Sequence, residues 1–133
     1  MRALRIAVVP LALVGLLSSC GGSQDDAVSE AAHDFVAAVA DGDGEGACAQ
    51  LAPSTRSELQ QSSGEPCAKA VLEEAVEEVG TQVDLDAYGT MARVRFDRDT
   101  VFLTRFDDGW RVLAAACTPP QGRGPYDCQV KGG

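Results

Sequence analysis

Residues 81–97 read TQVDLDAYGTMARVRFD, two alternating runs joined by a short stretch containing Gly89. In the first run Val83 and Leu85 fall on one side and Gln82, Asp84 and Asp86 on the other; in the second, Ala92, Val94 and Phe96 oppose Arg93 and Arg95. A period of two places successive side chains on opposite faces of a strand, so both runs predict half-buried strands. With the turn set at Ala87 to Thr90, Asp86 faces Met91, Val83 opposes Val94, Leu85 opposes Ala92 and Asp84 opposes Arg93. Apolar then meets apolar and acid meets base, as a stable antiparallel pair requires.

Downstream, TVFLTRF (100–106) and WRVLAAAC (110–117) predict two further strands joined across Asp107-Asp108-Gly109, and Asp-Gly is a strong hairpin signal. The third strand carries apolar residues on both faces, which leaves its register with the fourth open. The tail from Thr118 to Gly133 is rich in Pro and Gly and is expected to lack regular structure.

Upstream the period changes to that of a helix. Val28, Ala32, Phe35, Val36 and Val39 recur at helical spacing through residues 26–40, and Gly42 is a natural stop. A short helix over 45–51 follows with Asp43 as its cap, and PSTRSELQQ adds one or two turns with Thr55 and Glu58 at capping-box spacing. From Pro66 to Val79 the apolar set Ala68, Val71, Leu72, Ala75, Val76 and Val79 forms one face, opposite Glu73, Glu74, Glu77 and Glu78. Helices followed by an antiparallel meander predict an α+β domain, with N-terminal helices packed on one face of a curved four-stranded antiparallel sheet.

The first residues carry a different signal. Arg2 and Arg5 precede an apolar run, Ile6 to Leu17, that is interrupted by Pro10 and Gly15. A membrane span needs about 20 apolar residues; this run has signal-peptide length. It ends in Leu17-Ser18-Ser19-Cys20, which resembles the lipobox of bacterial lipoproteins. The resemblance implies that residues 1–19 are removed and that Cys20 begins the mature chain. There it would carry a thioether-linked diacylglycerol and a further acyl chain of the palmitate kind, held on the extracytoplasmic face of the cell membrane. Two or more acyl chains anchor a protein stably, each buried CH₂ contributing about 0.8 kcal/mol. Residues 20–26 are then expected to be a flexible tether.

Loss of Arg2 and Arg5 takes the net charge from −9 to −11. So acidic a chain lacks the positive field that phosphate-backbone binding requires, which argues against a nucleic-acid partner. With Cys20 committed to lipid, Cys48, Cys67, Cys117 and Cys128 remain. Four cysteines allow three pairings; locality favours Cys48 with Cys67 and Cys117 with Cys128, and an oxidising envelope makes bridges the default. The alternative of a four-cysteine metal site lacks any CxxC spacing.

The opening helical stretch AAHDFVAAVADGDGEGACAQL, the alternating ARVRF and TRFDDGWRVLAAAC with Trp110 after a turn together resemble the NTF2-like (cystatin-like α+β cone) superfamily, in particular its small actinobacterial lipoproteins. The resemblance covers residues 27–117 and leaves 118–133 as a tail closed by the last disulfide. It implies a cone, and if the protein is a non-enzymatic module the inner mouth of its curved sheet is expected to be filled by Phe96, Phe102, Phe106 and Trp110. Because that fold hosts many activities, function has to be argued from the site.

Candidate sites are few. DGDGEG (41–46) has the acids of a half calcium loop, but the twelfth position is Ala52 and a helix stop with its cap explains the same letters. His33 and Asp34 are adjacent on a helix and point about 100° apart, so they do not form a dyad. Asp84, Asp86 and Tyr88 with Arg93 and Arg95 can line a polar pocket or a docking face for an acidic partner, or simply form cross-strand ion pairs. No nucleophile elbow, P-loop, HExxH or dinucleotide turn occurs, and no cofactor is indicated. Two functions fit: a lipid-anchored, non-enzymatic module that binds an envelope protein or a small ligand, or an isomerase or hydrolase using Asp84 or Asp86 as general base inside the cone. Carboxylates on the solvent face would remove the second.

Overall fold

The computed structural model describes residues 22–132, so the leader and Cys20 lie outside the described residues. Helix α1 (Gly22–Ala40) buries Val28, Ala32, Phe35, Val36 and Val39, the stripe expected from the sequence. It already includes residues 22–26, where a tether was expected. Gly42 (φ 70°) turns the chain, donating to the Val39 carbonyl at 3.0 Å. Asp43 then caps α2 (Gly44–Gln50), its carboxylate accepting from the Gly46 amide at 2.9 Å.

Helix α3 (Pro53–Ser63) begins earlier than its capping-box letters suggest, with Pro53 in the first turn and Ala52 as a cap without a side-chain bond. The Thr55 hydroxyl instead donates to the Leu113 carbonyl at 2.8 Å. Helix α4 (Cys67–Glu74) is shorter than the Pro66 to Val79 pattern predicts, and Ala75 is extended. Continuing it would stack Glu73 over Glu77 and Glu74 over Glu78, pairs that repel at i,i+4 spacing. Extended, the 75–80 segment reaches the sheet instead, where the Val79 carbonyl accepts from the Arg98 amide at 2.9 Å.

The sheet has five strands in consecutive antiparallel order: β1 (Gln82–Tyr88), β2 (Met91–Phe96), β3 (Thr100–Phe106), β4 (Gly109–Thr118) and β5 (Asp127–Lys131). The fold is thus α+β, with one strand more than the four expected. The irregular tail returns to pair as β5, Cys117 facing Cys128 and Ala115 facing Val130. Proline and glycine hid this strand because they flank it, in the loop before Asp127 and at the two positions after Lys131, leaving DCQVK free to alternate with Cys128 and Val130 buried.

From Asp84 onward the β1–β2 hairpin keeps its predicted faces but slides by two residues; before it, Gln82, expected outward, faces the buried Phe96 and meets Ser29 and His33 of α1. Gly89 (φ 61°) permits a two-residue turn, so Tyr88 faces Met91, Leu85 faces Val94, Ala87 faces Ala92 and Asp86 faces Arg93. A slip of two preserves which side chains point inward, which is why the sequence pattern could not distinguish the registers. A bulge between Gln82 and Asp84 leaves Val83 52% exposed. In the β3–β4 pair, Phe106 faces Gly109 and a bulge separates Leu103–Val112 from Phe102–Ala114.

The helices cover one face of the sheet, and between the layers lie Phe35, Val71, Val94, Val101, Leu103, Val112 and Val130, all essentially inaccessible. Phe96 and Trp110 join this core; Phe102 and Phe106 do not. Phe102 packs edge-on against Tyr126 with ring centroids 5.0 Å apart, and Phe106 is 42% exposed. Their parity on β3 puts them on the face away from the helices, while Val101 and Leu103 take the inward places.

Two disulfides, Cys48–Cys67 and Cys117–Cys128, follow the local pairing. The first ties α2 to α4 and the second ties β5 to β4. Replacing Cys117 and Cys128 by Ala should lower stability by about 2–4 kcal/mol and expose the Arg123 loop to trypsin. Urea unfolding of the double variant checks the first effect and limited proteolysis the second.

Candidate functional site

The residues expected to form a polar pocket or docking face come together on the sheet face turned away from the helices. Leu85 and Ala87 pack toward the core, as do Ala92 and Val94, so the alternate positions Asp84, Asp86, Arg93 and Arg95 project outward. Arg93 pairs with Asp86 and lies 3.6 Å from Asp84, which in turn is 3.8 Å from Arg95. Tyr88, at the end of β1, is 61% exposed. The cluster is a ladder of cross-strand ion pairs.

Arg93 is the most enclosed member. Desolvation works against its charge but is outweighed by the bond to Asp86 and by the fields of Asp86, Tyr126 and Asp84, which together raise its pKa above the usual guanidinium value. Its Nε is buried without a hydrogen-bond partner among the described residues. Ion pairs open to water contribute little. A double-mutant cycle of Asp86→Ala and Arg93→Ala should therefore give a coupling of about 1 kcal/mol or less, read by urea unfolding.

A cleft of about 400 Å³ opens beside this ladder, bounded by Arg95, Arg98, Asp99, Thr100, Cys117 and Tyr126. Asp99 forms its floor and is only 6% exposed. One carboxylate oxygen accepts from the Thr100 amide at 2.7 Å and the Cys117 amide at 2.9 Å; the other accepts from the Ala116 amide at 3.1 Å. Ala116 has φ 53°, a left-handed conformation disfavoured for a residue with a side chain. The carboxylate gathers the amides that this conformation turns toward it.

The neighbouring polar groups are also engaged. Asp97 accepts from the Thr81 amide at 2.6 Å, and Arg98 donates to the Glu78 carbonyl at 2.7 Å while lying 3.6 Å from the Glu78 carboxylate. These contacts close the chain at the β2–β3 turn and make the cleft a structural junction. Nothing in residues 97–99, Asp-Arg-Asp, separates them from the other solvated acids of this sequence. Only the approach of β4 from 17 or 18 positions away turns Asp99 into a buried acceptor.

His33 is exposed, with Nε2 2.9 Å from Gln82 Oε1 and its ring edge-on to Phe96 at 5.3 Å. Gln82 Oε1 also accepts from the Ser29 hydroxyl at 2.9 Å, so the polar partner of the imidazole is an amide on β1 and not Asp34. Asp43, from the calcium-like DGDGEG, is used as the α2 cap. Among the described residues no group of three or more His, Cys, Asp or Glu is arranged to hold a metal ion, and no helix is long and apolar enough to cross a membrane. Comparison with protein-family models, with curated proteins and with solved structures gives no match.

Burial outweighs the three amide bonds at Asp99 and raises its pKa above the ordinary carboxylate value. The folded chain therefore holds this proton in a pH interval where the unfolded chain has lost it. The group's contribution to stability is complete below the unfolded pKa and falls as pH rises through the folded one. The difference in unfolding free energy between wild type and Asp99→Asn should move against the wild type as pH is raised across that interval. A difference that stays flat with pH would contradict the assignment.

Proposed function

We propose that this chain is a lipid-anchored envelope lipoprotein, attached through Cys20 to the extracytoplasmic face of the cell membrane and serving as a non-enzymatic binding or accessory module for a protein partner or small ligand. The observation that carries the reading is the agreement of four features in the first 20 residues: paired arginines, an apolar run of signal-peptide length, two small residues, and a cysteine directly after them. The Cys48–Cys67 and Cys117–Cys128 bonds support an oxidising compartment outside the cytoplasm. The engagement of Asp97, Asp99 and Arg98 in holding backbone together supports a binding role over a catalytic one.

The NTF2-like cone belongs to the same proposal. Its support is the order of elements, helices first and then consecutive antiparallel strands with helices against one face. The enzymatic reading with Asp84 or Asp86 as general base is not carried forward, because both carboxylates pair with arginines on the face away from the core.

Intact-mass measurement on protein from the membrane fraction of a lipoprotein-processing bacterium tests the anchor. The expected species begins at Cys20, carries the mass of a diacylglyceryl group or more, and gains four protons on reduction. Cys20→Ser should abolish the lipid mass and the membrane association together. An unlipidated wild-type chain in the soluble fraction would overturn the proposal.

A further inference from the structure

Among the described residues, the large apolar side chains most exposed to solvent are Leu72, Val83, Tyr88 and Phe106. Tyr88 and Phe106 lie at one end of the sheet, where β1 turns into β2 and β3 turns into β4. Met91, facing Tyr88 across the first turn and Thr104 across the next pair, extends the apolar row between them. The Arg105 amide donates to the Thr90 carbonyl at 2.9 Å, binding the two turns side by side.

The same end receives the start of α1. The Gln24 side-chain amide donates to the Gly89 carbonyl at 3.5 Å, whereas Ser29 and His33 further along the helix meet Gln82 at the other end of β1. Helix α1 therefore runs away from the Tyr88 end, and its first residues sit level with the β1–β2 turn. From Cys20 to Gly22 the chain spans at most about 7 Å, and the helical steps from Gly22 to Gln24 add about 3 Å. The headgroup layer on one side of a bilayer is about 5–7 Å thick. A residue held by its lipid at the acyl boundary thus lets the start of α1 stand at most about 3–5 Å above the headgroups.

Resting on the reading of Cys20 as the lipidated residue, we infer that this end of the sheet lies on the bilayer, with Tyr88, Met91 and Phe106 as its interfacial contacts. An aromatic ring with a polar tip, such as Tyr88, suits that boundary. Charge decides which lipid surface it fits. Asp25 and Asp26 lie in the first turns of α1 and Asp107 and Asp108 form the β3–β4 turn, against Arg105, Arg111 and Arg56, the last lining one cleft with Phe106 and Asp108, and Arg111 is already paired with Asp108 at 2.8 Å. The excess of acid repels anionic headgroups, so the contact is with a zwitterionic surface and is made by the aromatic rings. Leu72, on α4, and Val83, at the bulge where β1 begins, do not belong to it.

The test uses the full mature chain in vesicles of brominated phosphatidylcholine, comparing Tyr88→Trp, Phe106→Trp and Leu72→Trp, with the buried Trp110 as a constant background. All three positions are exposed, so the substitutions leave the core intact. Intact mass reports lipidation independently. A lipidated chain in which the new tryptophans at 88 and 106 lose emission, the one at 72 keeps it, and the loss shrinks in vesicles of brominated phosphatidylglycerol is the expected result. A lipidated chain whose three variants behave alike overturns the orientation and leaves the anchor standing. Selective quenching in a chain without lipid supports the surface and overturns the anchor; no quenching and no lipid overturns both.

Discussion

Both oxygens of the Asp99 carboxylate hold backbone amides from two strands, joining the start of β3 to the end of β4. Thr100 opens β3, and Ala116 and Cys117 lie near the end of β4. An amide left unpaired in this dry corner would cost about 1–3 kcal/mol, so a single buried carboxylate satisfies three such groups at once. It also stabilises the left-handed turn at Ala116 that the backbone would otherwise avoid. With that turn set, Cys117 faces Cys128 and the tail is brought back as an edge strand. Burial of the charge opposes the grip, which is why the carboxylate's pKa rises despite three favourable bonds.

A second constraint acts where β5 stops covering β4. The Ala52 amide donates to the Val112 carbonyl at 2.8 Å, the Thr55 hydroxyl to the Leu113 carbonyl, and the Gly132 amide to the same carbonyl at 3.1 Å. The joint between α2 and α3 therefore takes over the edge of β4, so that the helical layer is bonded to the sheet as well as packed on it. Gly44 allows α2 to lie directly on α4, since any side chain there would run into the Ala68 carbonyl. The Cys48–Cys67 bond then fastens the two short helices, each too short to be stable alone.

The outer face of the sheet carries the opposite kind of chemistry. Its acids and arginines neutralise one another in solvent-exposed ladders, and its aromatic residues are divided between a packed pair, Phe102 with Tyr126, and exposed positions near the hairpin turns. The charges of this face are thus engaged with one another, and its exposed rings stand apart from them near the turns.

The sequence by itself determined the helical stripe of α1, the inward and outward faces of β2 and of β1 from Asp84 onward, the Asp43 cap and the class α+β, because each depends on a local period or a nearest-neighbour bond. The resemblance of residues 17–20 to a lipobox is also a local one, read from consecutive residues, and it enters only the proposal. Tertiary structure alone decided the rest. The two-residue slip of the β1–β2 register leaves every face unchanged, so no pattern of polar and apolar letters could choose it. The early end of α4 came with the Arg98 amide's bond to the Val79 carbonyl and the Arg98 side chain's bond to the Glu78 carbonyl, which compete with helix bonds, and Thr55 was drawn from a capping box to a carbonyl on β4. Phe102 and Phe106 lost the inward places to Val101 and Leu103 because a strand with apolar residues on both faces takes its orientation from whichever layer packs on it. Asp99 became a buried acceptor only when β4 arrived, since burial is a property of what a chain folds against and not of the letters beside it.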